Sequence, residues 1–436
     1  MTFDKLIRGG RVFDTASVLY SILYVGVRDG KIEAVAAGLP ADGARLVDAT
    51  GKLVSPGFID THLHIYGGIG LVDPDTVGVH QGVTTIVDFG GAGTATFDQF
   101  KGLTLPRAKT RIYSVVCLTA GGVGAAGFGT DDQMEIGRLD LRRFFELVDA
   151  NRDVIRGLKS MVSVTLGPEF LMLAKSVAYS ARLPLVLHLG EFDDYVKFYP
   201  GPEYRAITSQ VLDQLDAGDL ITHCFTPEPG RMFDEAGTML PTIRETIDRG
   251  VFLDLGHSSH GFSAPIARAA IAQGIVPHTL GTDLHVSSVG PIMRSLADVM
   301  SKMLALGMSF DSVMRAVTCN AAKWLRIEDR AGTLARGFPA DVTIFEIQDG
   351  DYPWVDSHRN PFEGTQRIVP SGCLKDGVWY PARMEIVDTR ANRNIAVAKE
   401  SMPAPVAGFS DAQRQYLGEV ATIVGRSASW NPIALN

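Results

Sequence analysis

The sequence predicts a mixed α/β protein, a (β/α)8 TIM barrel with a small composite β-sandwich domain built from the N- and C-terminal segments. Three observations carry this expectation. Eight short apolar runs alternate with helix-period stretches between residues 55 and 329, the mark of parallel βα units. His62, near the end of the first run, and Asp283, near the end of the eighth, are 221 residues apart. Over seven steps that is about 32 residues each, the size of a βαβ repeat. Finally, strand-like runs with Gly and Asp turns fill residues 1–54 and return at 330–388. Each set is too small to form a stable sheet alone, so the two are expected to pair.

In chain order, LIRGGRVFD, ILYVGVRDG, KIEAVA and GARLVDATG give the first small strands, with SVLYSILYVGVRDG read as hairpin material. The barrel runs are SPGFIDTHLH, GVTTIVDFG, RIYSVVCLT, IRGLKSMVS, LPLVLHLGE, DLITHCFT, VFLDLGHSS and VPHTLGTDLH. Between them LDLRRFFELVDANRD, EFLMLAKSVAYSAR, TMLPTIRETIDRG and APIARAAIAQG have helical spacing. Two further helical segments follow, PIMRSLADVMSKMLALG and SFDSVMRAVTCNAAKWL, before the late strands GTLARGFPADVTIFEI and GCLKDGVWYPA. Residues 389–436 turn polar, with a linker, SMPAPVAG, and one expected helix, SDAQRQYLGEVATIVG.

Composition narrows the function. The chain has 436 residues, 46% hydrophobic and 21% charged, which is globular. Its net charge of −8, without a Lys/Arg block, argues against nucleic acid or an anionic membrane surface as partner. Four scattered cysteines form no CxxC pair, so neither a disulfide framework nor a thiolate zinc site is expected. The start, MTFDKLIRGG, lacks an apolar signal region, and no run of about 18 apolar residues occurs. A cytoplasmic protein acting on a small molecule is the expectation, with a homo-oligomer compatible.

The chemistry is concentrated at strand ends. In His62-Leu63-His64 the two imidazoles are at i and i+2 of one strand, so they project from the same face. At the C-terminal end of a barrel strand that face is the mouth, where such enzymes act. Neutral imidazoles suit zinc and similar metals. Lys159 in GLKSM, His188 in LVLHLG, His223 in LITHCF and Asp283 in LGTDLH recur at one, one and two βα steps. Ligand-type residues thus mark the mouths of strands one, four, five, six and eight. Around them stand candidate substrate contacts: Tyr66 after strand one with Gly67 and Gly68, whose backbone N–H groups could approach a ligand, His257 and His260 in GHSSHGF, and His285 with Ser287 as pocket or supporting residues after Asp283. His257 and His260 are read as substrate or oxyanion contacts or, equally, as loop packing. Asp60 is read as a supporting residue, Cys224 as barrel–helix packing and His278 as structural; His80 and His358 have no supporting neighbours.

On these residues the chain resembles the amidohydrolase superfamily of metal-dependent hydrolases over roughly residues 1–385. GIGLVDPDTVGVHQGVTTIVDFGGAG, GHSSHGF, TDLHVSSVGPIM and VMSKMLALGMS are similar to a deacetylase-like branch often misannotated as dihydroorotase. The resemblance implies two divalent metal ions, with Zn2+ the default. His62 and His64 would hold the more buried ion with Asp283, and His188 and His223 the other. Lys159 would bridge both as a CO2-derived carbamate. A bridging hydroxide would attack the carbonyl, and Asp283 would act as catalytic base and then acid. Met161 stands where the branch leads one to expect a basic residue. The resemblance thus implies hydrolysis of an acyl amide or ester bond in a small carboxylate-bearing molecule. The alternatives are a cyclic amidase of the dihydroorotase or hydantoinase kind and, in another class, a metal-free scaffold.

Overall fold

The computed structural model describes residues 2–67, 70, 73–125, 139–161, 167–190, 210–228, 230–234, 237–285, 288 and 292–383, with backbone only at 161 and 167–169. Gly68, Ser287 and the expected extension of 389–436 lie outside the described residues.

Seven strands open the chain: β1 (Lys5–Arg8), β2 (Arg11–Asp14), β3 (Leu19–Ile22), β4 (Tyr24–Arg28), β5 (Lys31–Ala36), β6 (Arg45–Asp48) and β7 (Leu53–Pro56). Seven parallel strands follow: β8 (Phe58–Leu63), β9 (Val83–Phe89), β10 (Arg111–Cys117), β11 (Ile155–Met161), β12 (Leu185–His188), β13 (Leu220–Thr222) and β14 (Phe252–Leu253). They pair in sequence order as one sheet. The eighth run bridges both edges, Thr279 to Asp254 beside β14 and Leu284 to Leu63 of β8, each in parallel sense. His257 N donates to Gly281 O, Ser258 N to Thr282 O and Asp283 N to His62 O. This is a TIM-barrel-like fold. β8 and β9 are buried along their whole length, as parallel strands covered on both faces must be.

Three late strands, β15 (Val342–Val355), β16 (Pro361–Lys375) and β17 (Val378–Pro381), complete the described chain. They join β7, β2 and β3 in a six-stranded sheet, with β15 antiparallel to β7 (Val54 opposite Ile344). The remaining early strands form a four-stranded sheet in the order β5-β4-β1-β6. Ile7, Val25 and Ile32 of that sheet share one apolar cluster with Val12, Val54, Val342 and Leu374 of the other. N- and C-terminal segments therefore do pair. SVLYSILYVGVRDG departs from the expected hairpin: β3 pairs β2 in one sheet while β4 pairs β1 and β5 in the other. No turn dipeptide separates the two runs, so the chain passes at Leu23 from one sheet to the next rather than folding back.

The expected helices surround the barrel at Leu141–Ala150, Gly167–Ala181, Pro241–Asp248, Ala264–Ala272 and Leu296–Ala305. Side-chain caps start two of them, Asp140 accepting from Arg143 N and Ser295 from Asp298 N. SFDSVMRAVTCNAAKWL is two helices, Phe310–Ala316 and Cys319–Trp324. The break falls at Thr318, whose hydroxyl donates to Met314 O at 2.6 Å while its backbone leaves the helical region. β15 and β16 form an unusually long hairpin. At its base it joins the small sheets, and its tip, residues 356–360, reaches the loop after β14.

Candidate active site

Three side chains form the core of the site. A nitrogen each of His62 and His64 and a carboxylate oxygen of Asp283 lie within 4.8 Å of one another, all buried. His64 Nε2 is 3.0 Å and His62 Nε2 3.4 Å from Asp283 Oδ1. Among the described residues no hydrogen bond reaches His62 Nε2 or Asp283 Oδ1. Orphaned donor atoms of this kind, inside a fully buried cluster, fit a cation. The second pair sits beside them, with His223 Nε2 3.1 Å from His188 Nδ1 and 3.8 Å from Asp283 Oδ2. Lys159 lines the same pocket as His64, His188 and Asp283, together with His260 and His285. Of the six ligand-type residues read from the sequence, His64, Lys159, His188 and Asp283 thus line one pocket, and His62 and His223 stand beside Asp283.

Burial and neighbours set the protonation of the cluster. Burial pushes the His64 imidazole down to about 3, and His188 and His223 well below the usual imidazole range. All three are therefore neutral and able to offer a lone pair. Burial also opposes the charge on Asp283, yet the adjacent His62 and His64 hold its carboxyl well below the usual carboxylate range. Burial lowers the Lys159 ammonium, against the pull of Asp283. Lys159 Nζ donates to Phe89 O at 3.1 Å.

Outer contacts aim the imidazoles. His62 Nδ1 faces Thr222 Oγ1 at 2.9 Å and Asp254 Oδ2 at 3.1 Å, while Phe89 stacks on its ring at 3.8 Å. His223 Nδ1 donates to Gly256 O at 2.7 Å, since a carbonyl only accepts. In both rings an acceptor holds a proton on Nδ1 and Nε2 faces the site; burial opposes charge on His62, but Asp283 and Asp254 raise its imidazole above the usual value. Gly281 is required here, because a Cβ would fall 2.3 Å from His62 Cβ. His223 and Asp283 both have left-handed backbone, φ 62° and 50°, a costly conformation for such residues that recurs where side chains are aimed for function.

Other predicted residues are placed differently. The Tyr66 hydroxyl donates to Gln99 Oε1 at 2.5 Å and approaches Thr96 O at 3.3 Å, so it points toward the helix Phe97–Leu103. Gly67 takes φ 79°, as a turn there demands. His257 is tied behind the wall, with Nδ1 to Ser258 O and Nε2 to Lys302 Nζ. Asp60 accepts from Thr282 N and Oγ1 and from His62 N, joining strands one and eight. Cys224 is buried in the main apolar cluster, and His278 Nδ1 accepts from Leu253 N. Missing from the sequence reading are Asp254, Thr222, Lys302 and Ser357. Asp254 ends the run VFLDLG in the register of the ligand residues, which was the available signal.

Residues 53–380 match the amidohydrolase family. The chain belongs to that family. A deacetylase of Agrobacterium fabrum is 35% identical over 82% of this chain and 88% of its own. A solved dihydroorotase structure is 31% identical, with a TM-score of 0.73 over 86% of this chain and 99% of its own. A solved adenine deaminase structure gives a TM-score of 0.78 at 26% identity, over 87% of this chain and all of its own. With the family established, this amidohydrolase is a metal-dependent hydrolase acting on C–N bonds, and His62, His64 and Asp283 are its candidate metal-binding group. Among the described residues no helix is long and apolar enough to cross a membrane.

Proposed function

We propose that this amidohydrolase is a deacetylase-like enzyme that cleaves an acyl amide or ester bond of a small carboxylate-bearing molecule. The observation that carries it is the 35% identity to the Agrobacterium deacetylase along nearly nine-tenths of that protein, joined to the buried group His62, His64 and Asp283. His62, His64 and Asp283 would hold one divalent ion, and His188 and His223 a second. Lys159 would bridge them as a carbamate, a role its buried, lowered amine favours. Zn2+ suits this N/O donor set. Such a pair, when bound, lowers the pKa of water toward neutrality and polarises a carbonyl oxygen.

The protein's own groups do the rest. Asp283 takes the proton of the attacking water and passes it to the leaving group, for which its unprotonated carboxylate is prepared. His260 and His285, on the pocket wall, contact the substrate. Burial keeps His260 low, at about 4, so it meets the substrate as a neutral ring. We also propose the domain plan of the sequence reading: residues 55–329 as the catalytic barrel, and 1–54 with 330–388 as one composite β-sandwich. A cytoplasmic homo-oligomer completes the proposal.

Initial rates on N- and O-acetylated amino and hydroxy acids, beside dihydroorotate and hydantoins, test the reading with zinc-loaded protein. Deacylation should be the faster reaction. The likeness to a dihydroorotase structure favours the cyclic amidase as the second reading, and ring opening about tenfold faster than deacylation would install it. A folded preparation that never takes up metal would instead indicate a scaffold.

A further inference from the structure

The wall that carries His260 is held from outside the barrel. Lys302, on the helix Leu296–Ala305, is 1% exposed, and its ammonium donates to Ile292 O at 2.6 Å, Val355 O at 2.8 Å and His257 Nε2 at 3.0 Å. Three donors meet three acceptors, one each from the chain after strand eight, the end of β15 and the loop after β14. Because Ser258 O can only accept, His257 Nδ1 carries that ring's proton and Nε2 receives from Lys302.

Two residues along from Val355, the hairpin tip takes hold of the same loop. Ser357 Oγ is 3.0 Å from both His257 O and Ser258 O, and Ser357 N donates to Phe262 O. Asp356 Oδ2 accepts from Ala264 N, and His358 Nε2 donates to His260 O at 3.1 Å. The gripped segment includes Ser258 with φ 54°, a left-handed backbone that a serine keeps only under constraint. The His260 ring itself stays on the pocket side, 6.0 Å from the His223 ring.

We infer that Lys302 and the hairpin tip Asp356–His358 are positioning residues, which fix the loop after β14 so that His260 forms the substrate-seating wall of the pocket. The hairpin contributes no atom to the reaction; it acts through His260. The kinetic arm of the test rests on the proposed function, whereas the spectroscopic arm does not.

The kinetic arm is a double-mutant cycle of Ser357→Ala and His260→Ala on zinc-loaded protein, using whichever amide substrate it turns over. Ser357→Ala alone should raise KM about tenfold with kcat within about threefold. In the His260→Ala background the same change should add less than about twofold. Ser357→Thr, which keeps the hydroxyl, should restore KM. Equal effects in both backgrounds, or a threonine variant as poor as alanine, would overturn the inference. The spectroscopic arm uses 15N-histidine NMR. Ser357→Ala should move the His260 ring signals and leave those of His62 and His64 in place. Unmoved His260 signals would overturn the inference, even if no substrate were turned over and the proposed function had failed.

Discussion

Asp254→Asn is a strict test of how the site is aimed, because it changes one atom and no shape. Asp254 Oδ1 accepts from Thr61 Oγ1 (3.1 Å), Thr279 Oγ1 (2.7 Å) and Gly281 N (3.1 Å). Oδ2 accepts from Thr222 Oγ1 (2.8 Å) and faces His62 Nδ1 (3.1 Å). Asparagine has one acceptor oxygen, which three donors keep turned toward the Oδ1 side. Its NH2 then meets Thr222 Oγ1 and the His62 Nδ1 proton. The threonine can turn its hydroxyl away and still accept from His62 Nδ1 at 2.9 Å, but the imidazole loses its charged acceptor and meets an NH2 in its place, which weakens the hold of the proton on Nδ1. Losing a hydrogen bond to a charged group costs about 1.5–3 kcal/mol. At about 1.4 kcal/mol per tenfold, that corresponds to roughly 10–100-fold in metal affinity, the range typical of lost outer-shell partners. Zinc affinity measured by chelator competition, with circular dichroism to establish the fold, is the assay. An Asp254→Asn protein that binds zinc within about twofold of the parent would refute the assignment of Asp254 as the residue that sets the His62 tautomer.

Further outcomes are expected elsewhere. Asp283→Asn should fold and lose about 10²–10⁴ of kcat or more, read by steady-state kinetics on the best substrate; retained turnover would remove it as the proton carrier. Asp88, fully buried with both oxygens taking backbone N–H groups of Ile65 and Gly91, is pushed up to about 7 by burial. Folding therefore takes up a proton between the ordinary carboxylate range and about pH 7, and stability falls as pH rises through that window. Urea denaturation of metal-free protein across that range should show a shallower pH slope for Asp88→Asn. Phe345, buried between Phe58 and Phe310, joins the hairpin to the barrel floor. Phe345→Ala should cost about 3–5 kcal/mol by denaturant titration without changing zinc stoichiometry. Chelator treatment should abolish turnover and added zinc restore it, checked by metal analysis alongside rates.

What the sequence made readable follows from local geometry. His62 and His64 could be placed because a strand fixes the face of i and i+2, and Lys159, His188, His223 and Asp283 because the βα period repeats that face at each strand end. The same regularity located all eight barrel runs, including the last, which joins the ring by two isolated bridges rather than as a regular strand. Contacts that depend on how distant segments meet left no such trace. Lys302 stands in VMSKMLALGMS, a stretch whose methionines have core spacing and whose Met300, Met303 and Met308 are indeed buried. Its lysine is buried with them because three acceptors, Ile292 O, Val355 O and His257 Nε2, face its amine, although burial still lowers that amine to about 7. Nothing in the spacing of that helix announces those acceptors. The fates of Tyr66 and His257 have the same origin: adjacency to a ligand strand put them near the mouth, but Gln99 and Lys302 decide where their polar atoms turn. A charged residue among the buried positions of a largely apolar helix is therefore the feature to follow in such a sequence. Burying it requires a dedicated set of partners, and here that set links the helix to the hairpin tip and to the loop that presents His260.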